Sequence, residues 1–363
     1  MVDAVRCAVP ETVHLFGTPI TVSGVPFAQQ DAQLGACAHV TAWVCHRSAS
    51  LRGDLDRRTL AQFATGIDAS LSPNREVPTR GLTLGQMSDI IRKNGLSPLF
   101  YQPGDLPAPT LPWTHPPSAQ NTPAGDTRLV AVMCRHLNSG FPVMVAASDH
   151  AFNIVGWIRD PAKPGWIRFV RHDDQRGPYL WVDDLFADTD PATGHHYGTW
   201  NALIVPLPPK VWLPPENAEE HAYAQLAGAS AAVAPHLGGV ETIADLVAQD
   251  RLALRTFART SNRFKNELAH RGFDSAAEDE LRTARMSRRV WVVEAIDRQA
   301  RAGGLPPVLG EVVYDATSAE LDPRPLAVRV HGCLWIHQTG TGRFRGPIVT
   351  SPAPVLSAGI GPP

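Results

Sequence analysis

The stretch from Gln29 to Trp43 places the strongest constraint on what this chain can fold into, because an amide-rich polar loop runs without a break into a helix that carries a cysteine. Val40, Trp43 and Val44 fall at i, i+3 and i+4, so a helix from Cys37 to about Arg47 is expected to anchor one face in a core. Cys37 stands one turn before that stripe, at the helix mouth. A thiol there meets unpaired backbone N–H groups and the positive end of the helix dipole, which favour its ionised form. Most free cysteines are nevertheless buried small apolar side chains. A nucleophile therefore needs a partner base elsewhere in the sequence.

The 363 residues are enough for two domains, and 44% apolar against 19% charged residues describes an ordinary globular chain. A formal net charge of −2 gives no electrostatic case for nucleic acid or a membrane surface. The five cysteines, Cys7, Cys37, Cys45, Cys134 and Cys333, are odd in number, scattered, and lack metal-ligand spacing, so a reducing compartment is expected rather than a disulfide framework. A zinc site from Cys37, His39, Cys45 and His46 fails on geometry, since at about 100° per residue these side chains spread around a helix. No basic segment followed by an apolar run opens the chain and no long apolar window follows, so a cytoplasmic protein without metal or cofactor is expected.

Segments Thr12–Leu15 and Pro19–Ser23 alternate around Gly17-Thr18 and read as a short hairpin. Thr59–Ile67 and a segment capped by Thr83 and stopped at Asn94-Gly95 read as helices. Gln102–Pro123, with its many prolines, is expected to be an excursion or flap that overhangs a cleft. A helix over Thr127–Asn138 then precedes strands at Pro142–Ala147, His150–Trp157, Trp166–Arg171 and Ala202–Pro206, an antiparallel meander. Residues 1–208 thus form one domain, 209–215 a proline-rich connector, 216–346 a second α+β domain and 347–363 a flexible tail. In the second domain, strands are expected at Val290–Ile296, Gly310–Tyr314 and Leu326–Trp335. Arg255, Arg259 and Arg263, at i+4 intervals, read as a cationic helix face.

His150 is the candidate base, because it opens a strand after a turn and so stands at a sheet end where the Cys37 helix mouth can meet it. Asp173, at the end of the following strand, is the candidate orienting carboxylate, and Asp174 is its rival. Gly194-His195-His196 reads as a solvated loop pair.

A glutamine, a cysteine at a helix N-terminus, the run His150-Ala151-Phe152-Asn153-Ile154-Val155-Gly156-Trp157 and an Asp ending the next strand together resemble the papain-like cysteine peptidases. They most resemble the bacterial bacteriocin-processing, double-glycine leader branch, over about Gly24–Pro206. The resemblance implies an α+β fold with a helix packed on an antiparallel sheet, followed here by a second mixed α/β region. It implies Cys37 as nucleophile, His150 as general base and then acid, Asp173 as orienting carboxylate, and a glutamine amide with the Cys37 backbone N–H as oxyanion hole.

The chain departs from that pattern in places. The family's glutamine stands six residues before the cysteine, where this chain has Asp31; Gln30 precedes Cys37 by seven and Gln33 by four, and Gln30 is preferred. Ala38-His39 follows the cysteine where such peptidases often have glycine. The expected activity is cleavage of a peptide or isopeptide bond in a peptide or protein substrate, with the C-terminal region offering a surface for a protein partner. Acyl transfer of the transglutaminase kind and an inactive papain-like binding module are the alternatives.

Overall fold

The computed structural model describes residues 4–29, 37–65, 82–106, 127–147, 150–159, 167–182, 200–238, 240–268, 275–297, 299, 307–320, 322–337, 344–349 and 355–356. Gln30 and Gln33, most of the proline-rich 102–123 segment and His195-His196 lie outside these residues. The chain packs as two compact units that meet in sequence between Pro209 and Lys210. Both are mixtures of helices and antiparallel sheet, an α+β architecture.

The first unit runs β1 (Ala4–Arg6), β2 (Val9–Leu15), β3 (Thr18–Gly24), α1 (Cys37–Leu51), α2 (Leu60–Ala64), α3 (Leu84–Lys93), β4 (Ser97–Tyr101), α4 (Thr127–Asn138), β5 (Val143–Ala147), β6 (Ala151–Arg159), β7 (Ile167–Asp173), β8 (Gly177–Val182) and β9 (Trp200–Leu207). Strands pair antiparallel in the order β4-β9-β5-β6-β7-β8, with β1 added to β6. β2 and β3 form the expected separate hairpin, whose tip residues Phe16 and Gly17 have φ of 49° and 82°. Two successive left-handed residues are what a tight hairpin turn requires, which explains glycine at the second.

Helix α1 departs from the one-sided stripe expected of it. Besides Val40 and Val44, it buries Ala38, Ala42, Cys45 and Ala49, and also His39, His46 and Arg47. The small side chains at 38, 42, 45 and 49 let the helix approach closely, and they pack with Phe63, Ile90, Ile91, Met144 and Ile204. A helix buried on nearly all sides is a central element rather than a surface one. Around it, α2 and α3 begin with reciprocal capping boxes, Thr59 with Gln62 and Thr83 with Gln86, each satisfying two orphan N–H groups.

The second unit runs α5 (Pro215–Val233), α6 (Ile243–Ala248), β10 (Leu252–Thr260), α7 (Ser261–Glu267), α8 (Ser275–Thr283), β11 (Arg289–Asp297), β12 (Pro307–Asp315), β13 (Pro325–Val330), β14 (Cys333–His337), β15 (Phe344–Val349) and β16 (Val355–Leu356). Strands β10 to β15 pair in sequence order and β16 adds to β12, so two strands lie in or reach into the range read as a tail. The single strand expected over Leu326–Trp335 is instead β13 and β14, because His331 and Gly332 turn with φ of 49° and 75°. The cationic helix face is also corrected: Arg255 and Arg259 lie on β10, buried, and Arg263 on α7. A spacing of four residues keeps side chains on one face of a strand as well as of a helix, so it could not separate the two.

One face of this sheet packs the row Phe257, Val292, Val313, Ala327 and Ile336 against Phe264 of α7 and Leu281 of α8. A parallel row on the same face reads Arg255, Glu294, Glu311 and Arg329 across four strands, each at most 4% exposed. Arg255 pairs with Glu294, and Arg329 Nε lies 3.7 Å from Glu311. Among the described residues, no helix of the chain is long and apolar enough to cross a membrane.

Candidate functional site

Cys37 is the first residue of α1, and two hydrogen-bonded side chains fix that turn against β6. Thr41 Oγ1 donates to the carbonyl of Cys37 at 2.6 Å and lies 3.2 Å from the carbonyl of Ala151. Asn153 Nδ2 donates to the Thr41 carbonyl at 3.2 Å and to Cys45 Sγ at 3.4 Å. His150 immediately precedes β6, and its carbonyl accepts from Ala147 N at 2.8 Å, closing the β5–β6 turn. Polar groups are expensive to bury without partners, so the three contacts that cross between α1 and β6 also hold the helix mouth in register with the strand start.

His150 is 5% exposed, and its Nε2 stands 3.1 Å from Asp173 Oδ1. Asp173 is fully buried at the last position of β7, where Oδ1 also accepts from the backbone N–H of Gln175 at 3.1 Å and Arg176 at 3.3 Å. Such an Asx turn fixes the carboxylate independently of the histidine. Arg171 Nε lies 3.6 Å from the other oxygen.

The charges follow from this geometry. Burial by itself lowers the basicity of His150, yet hydrogen bonds and charge from Asp173 and Cys37 raise its pKa to about 10. With Nε2 given to Asp173, Nδ1 is the ring nitrogen left for a second partner. Burial pushes Asp173 up, but His150, the Arg171 charge and the backbone N–H of Gln175 bring it down to about 2.

Asp174, the rival carboxylate, lies 3.8 Å from His150 Nε2 and is 4% exposed. Burial and the Asp173 charge raise it to about 6, with His150 opposing. The structure therefore gives the shorter contact to Asp173 and leaves Asp174 as a second buried acid. A folded-state pKa above the ordinary 3.8 stabilises the protonated fold below that value and costs stability as pH rises through about 6. Asp174→Asn should accordingly stabilise the protein above pH 6 by roughly 1–3 kcal/mol and change nothing below pH 4. Urea midpoints at pH 4, 6 and 8 check this; a gain that does not grow with pH would refute it.

His150, Asp173 and Asp174 bring ligand atoms within 4.8 Å of one another, a set able to hold a divalent cation. The same Nε2 and Oδ1 atoms form the 3.1 Å hydrogen bond, which a cation would displace. Burial pushes the Cys7 and Cys134 thiols up to about 12, the Cys45 thiol higher still, and raises Cys333 as well. A buried thiol of that sort is inert.

The structure places His150 Nε2 3.1 Å from Asp173 Oδ1 and Cys37 at the first position of α1, the helix that Thr41 ties to the start of β6, while Gln30 lies outside the described residues. Sequence reasoning passed over Thr41 and Asn153. Asparagine inside an otherwise apolar strand was the available signal, because strands disfavour it unless its amide is used.

His172, next to Asp173, is held neutral by burial, which lowers it to about 4. Its ring sits edge-on between Phe27 at 5.6 Å and Tyr179 at 4.4 Å. Tyr179 in turn accepts from Val25 N at 2.8 Å, so the strand beside the candidate site also ties down the segment that leads toward Cys37. A Cβ at Gly24 would lie 2.9 Å from that hydroxyl, which accounts for glycine there.

No family model matches this chain and no curated protein does. Among solved structures it is similar to UfSP from C. elegans, with a TM-score of 0.29 and 16% identity over 52% of this chain and 33% of that one. At that TM-score the likeness carries no argument about activity.

Proposed function

We propose that the first unit is a thiol hydrolase that cleaves a peptide or isopeptide bond through an acyl-enzyme. The observation that carries the reading is the buried His150–Asp173 hydrogen bond of 3.1 Å, at the start of the strand to which Thr41 ties the Cys37 helix. This is the nucleophile, base and orienting-group order that activated thiols require.

In this reading Cys37 Sγ, its proton held at His150 Nδ1, attacks the carbonyl carbon, and the π electrons move onto the carbonyl oxygen. The Cys37 backbone N–H at the helix start and the Gln30 amide stabilise that oxyanion. Collapse breaks the C–N bond, and the departing amine takes the proton from His150. Water then attacks the thioester with His150 as base, releasing the acid and restoring the thiol. Asp173 holds the ring orientation and stabilises the imidazolium throughout.

The test needs no substrate. Iodoacetamide alkylation of Cys37, followed by mass spectrometry from pH 5 to 9, is compared between wild type and His150→Ala. The expected result is fast labelling at pH 6 in the wild type, ahead of Cys7, Cys45 and Cys134, and a loss of about tenfold or more in the variant. Equal rates in the two proteins, or a Cys37 no faster than the buried thiols, would remove the catalytic reading.

A further inference from the structure

A cavity of the first unit, about 370 Å³, opens beside the segment that leads to the candidate nucleophile. Arg47, Arg57 and Arg58 contribute three guanidinium groups to its lining and Glu11 a single carboxylate. Arg47 is 5% exposed and pairs with Glu11, whose same oxygen accepts from Arg57 NH2 at 2.9 Å. Arg58 NH1 is spent on the neutral Asn94 at 2.7 Å. Among the described residues the lining thus carries three arginines against one carboxylate, in a chain whose net charge is −2.

Glu11 shows that a carboxylate fits there, since one of its oxygens serves two guanidiniums. A guanidinium has five donors and suits carboxylates geometrically, so the three arginines can accept a further anion. Pro26, Phe27, Trp43, Thr59 and Leu60 line the rest. Trp43 Nε1 is occupied by the Arg58 carbonyl at 3.1 Å, so the indole offers the cavity an apolar surface. An anion attached to an apolar or aromatic group matches this combination better than a small inorganic ion.

The cavity shares elements with the candidate site: its Phe27 ring meets His172 of β7 edge-on at 5.6 Å, and Trp43 and Arg47 belong to α1. Cys37 and Arg47 are ten residues apart on α1, or ~15 Å of helix, a span that ~4–5 residues of extended peptide cover.

We infer that this cavity is a subsite for an acidic residue of a peptide, a carboxylate flanked by an apolar side chain, bound about four or five residues from Cys37. The inference rests on the hydrolase reading for its link to Cys37, but the subsite binds whether or not the thiol reacts.

Isothermal titration on the Cys37→Ala protein tests it with two acetylated hexapeptide amides, one carrying phenylalanine-glutamate and the other phenylalanine-glutamine, and with inorganic phosphate. The glutamate peptide should bind at least tenfold more tightly than its counterpart, with the advantage shrinking as sodium chloride rises. Arg57→Gln/Arg58→Gln, both exposed side chains, should abolish the preference while circular dichroism stays that of the parent. Equal binding of the two peptides, no binding of either, a preference that survives the double substitution, or phosphate as tight as the glutamate peptide would each overturn the proposal. No glutamate preference in Cys37→Ala, with wild-type Cys37 labelled fast at pH 6 and slowed by His150→Ala, would sink the subsite alone; a glutamate preference with wild-type labelling unaffected by His150→Ala would sink the hydrolase alone.

Discussion

Replacing Asp173 by asparagine is expected to slow iodoacetamide labelling of Cys37 at pH 6 by roughly 10- to 1,000-fold. The amide can still accept from His150 Nε2, so the ring keeps a partner and the change isolates the charge. A carboxylate beside an ionised partner is worth ~1–3 pKa units, each tenfold in the equilibrium between a thiolate–imidazolium and a thiol–imidazole pair. His150, raised to about 10, should fall accordingly, because burial alone drives it down and Asp173 is the larger of the two groups opposing that. The linked stability has a definite sign. A raised His150 stabilises the fold below its ordinary 6.5, and that contribution is lost as pH climbs through about 10. Asp173, lowered to about 2, contributes above its ordinary 3.8, and this is lost as pH falls through about 2. Labelling rates and histidine NMR titrations in the variant read both effects. An unchanged rate together with an unchanged titration would show that Asp173 does not act on His150.

The largest expected loss of stability lies in the second unit. Arg255→Met removes a buried ion-pair partner of Glu294, which lies opposite Glu311 of the neighbouring strand. Breaking a buried pair typically costs ~3–5 kcal/mol because an uncompensated charge remains, whereas replacing both partners with apolar residues is often near neutral. Urea unfolding should therefore show a large loss for Arg255→Met and recovery of most of it in Arg255→Met/Glu294→Leu. A single-variant loss below ~1 kcal/mol, or a double variant worse than the single, would show that the row is not held by that pair.

The candidate site was legible in the sequence because its parts have local signatures. Cys37 begins a helix, His150 follows a turn into a strand, and Asp173 ends the next strand before Gly177. The capped helix after Thr83 and the hairpin around Gly17 were legible for the same reason, since caps and turns are made by near neighbours. What failed were readings in which two structures share one pattern. Arg255 and Arg259 satisfy both periods, and only the pairing with β11 makes them strand residues. The apolar run from Leu326 to Trp335 hides a turn that His331 and Gly332 make by adopting positive φ.

The sequence by itself determined which residues could carry chemistry and where most helices and strands begin, because those depend on periodicity and on caps within a few residues. It did not determine which acid serves His150. Asp173 and Asp174 are adjacent in sequence, and only the register of β7 against β6 and the turn into β8 bring the first to 3.1 Å and leave the second at 3.8 Å. Nor did it determine that α1 would be buried on nearly every side, or that Glu11 and Arg47, distant along the chain, would meet in one cavity. Those outcomes are set by long-range packing, where burial, pairing register and the charges of non-neighbouring residues decide together.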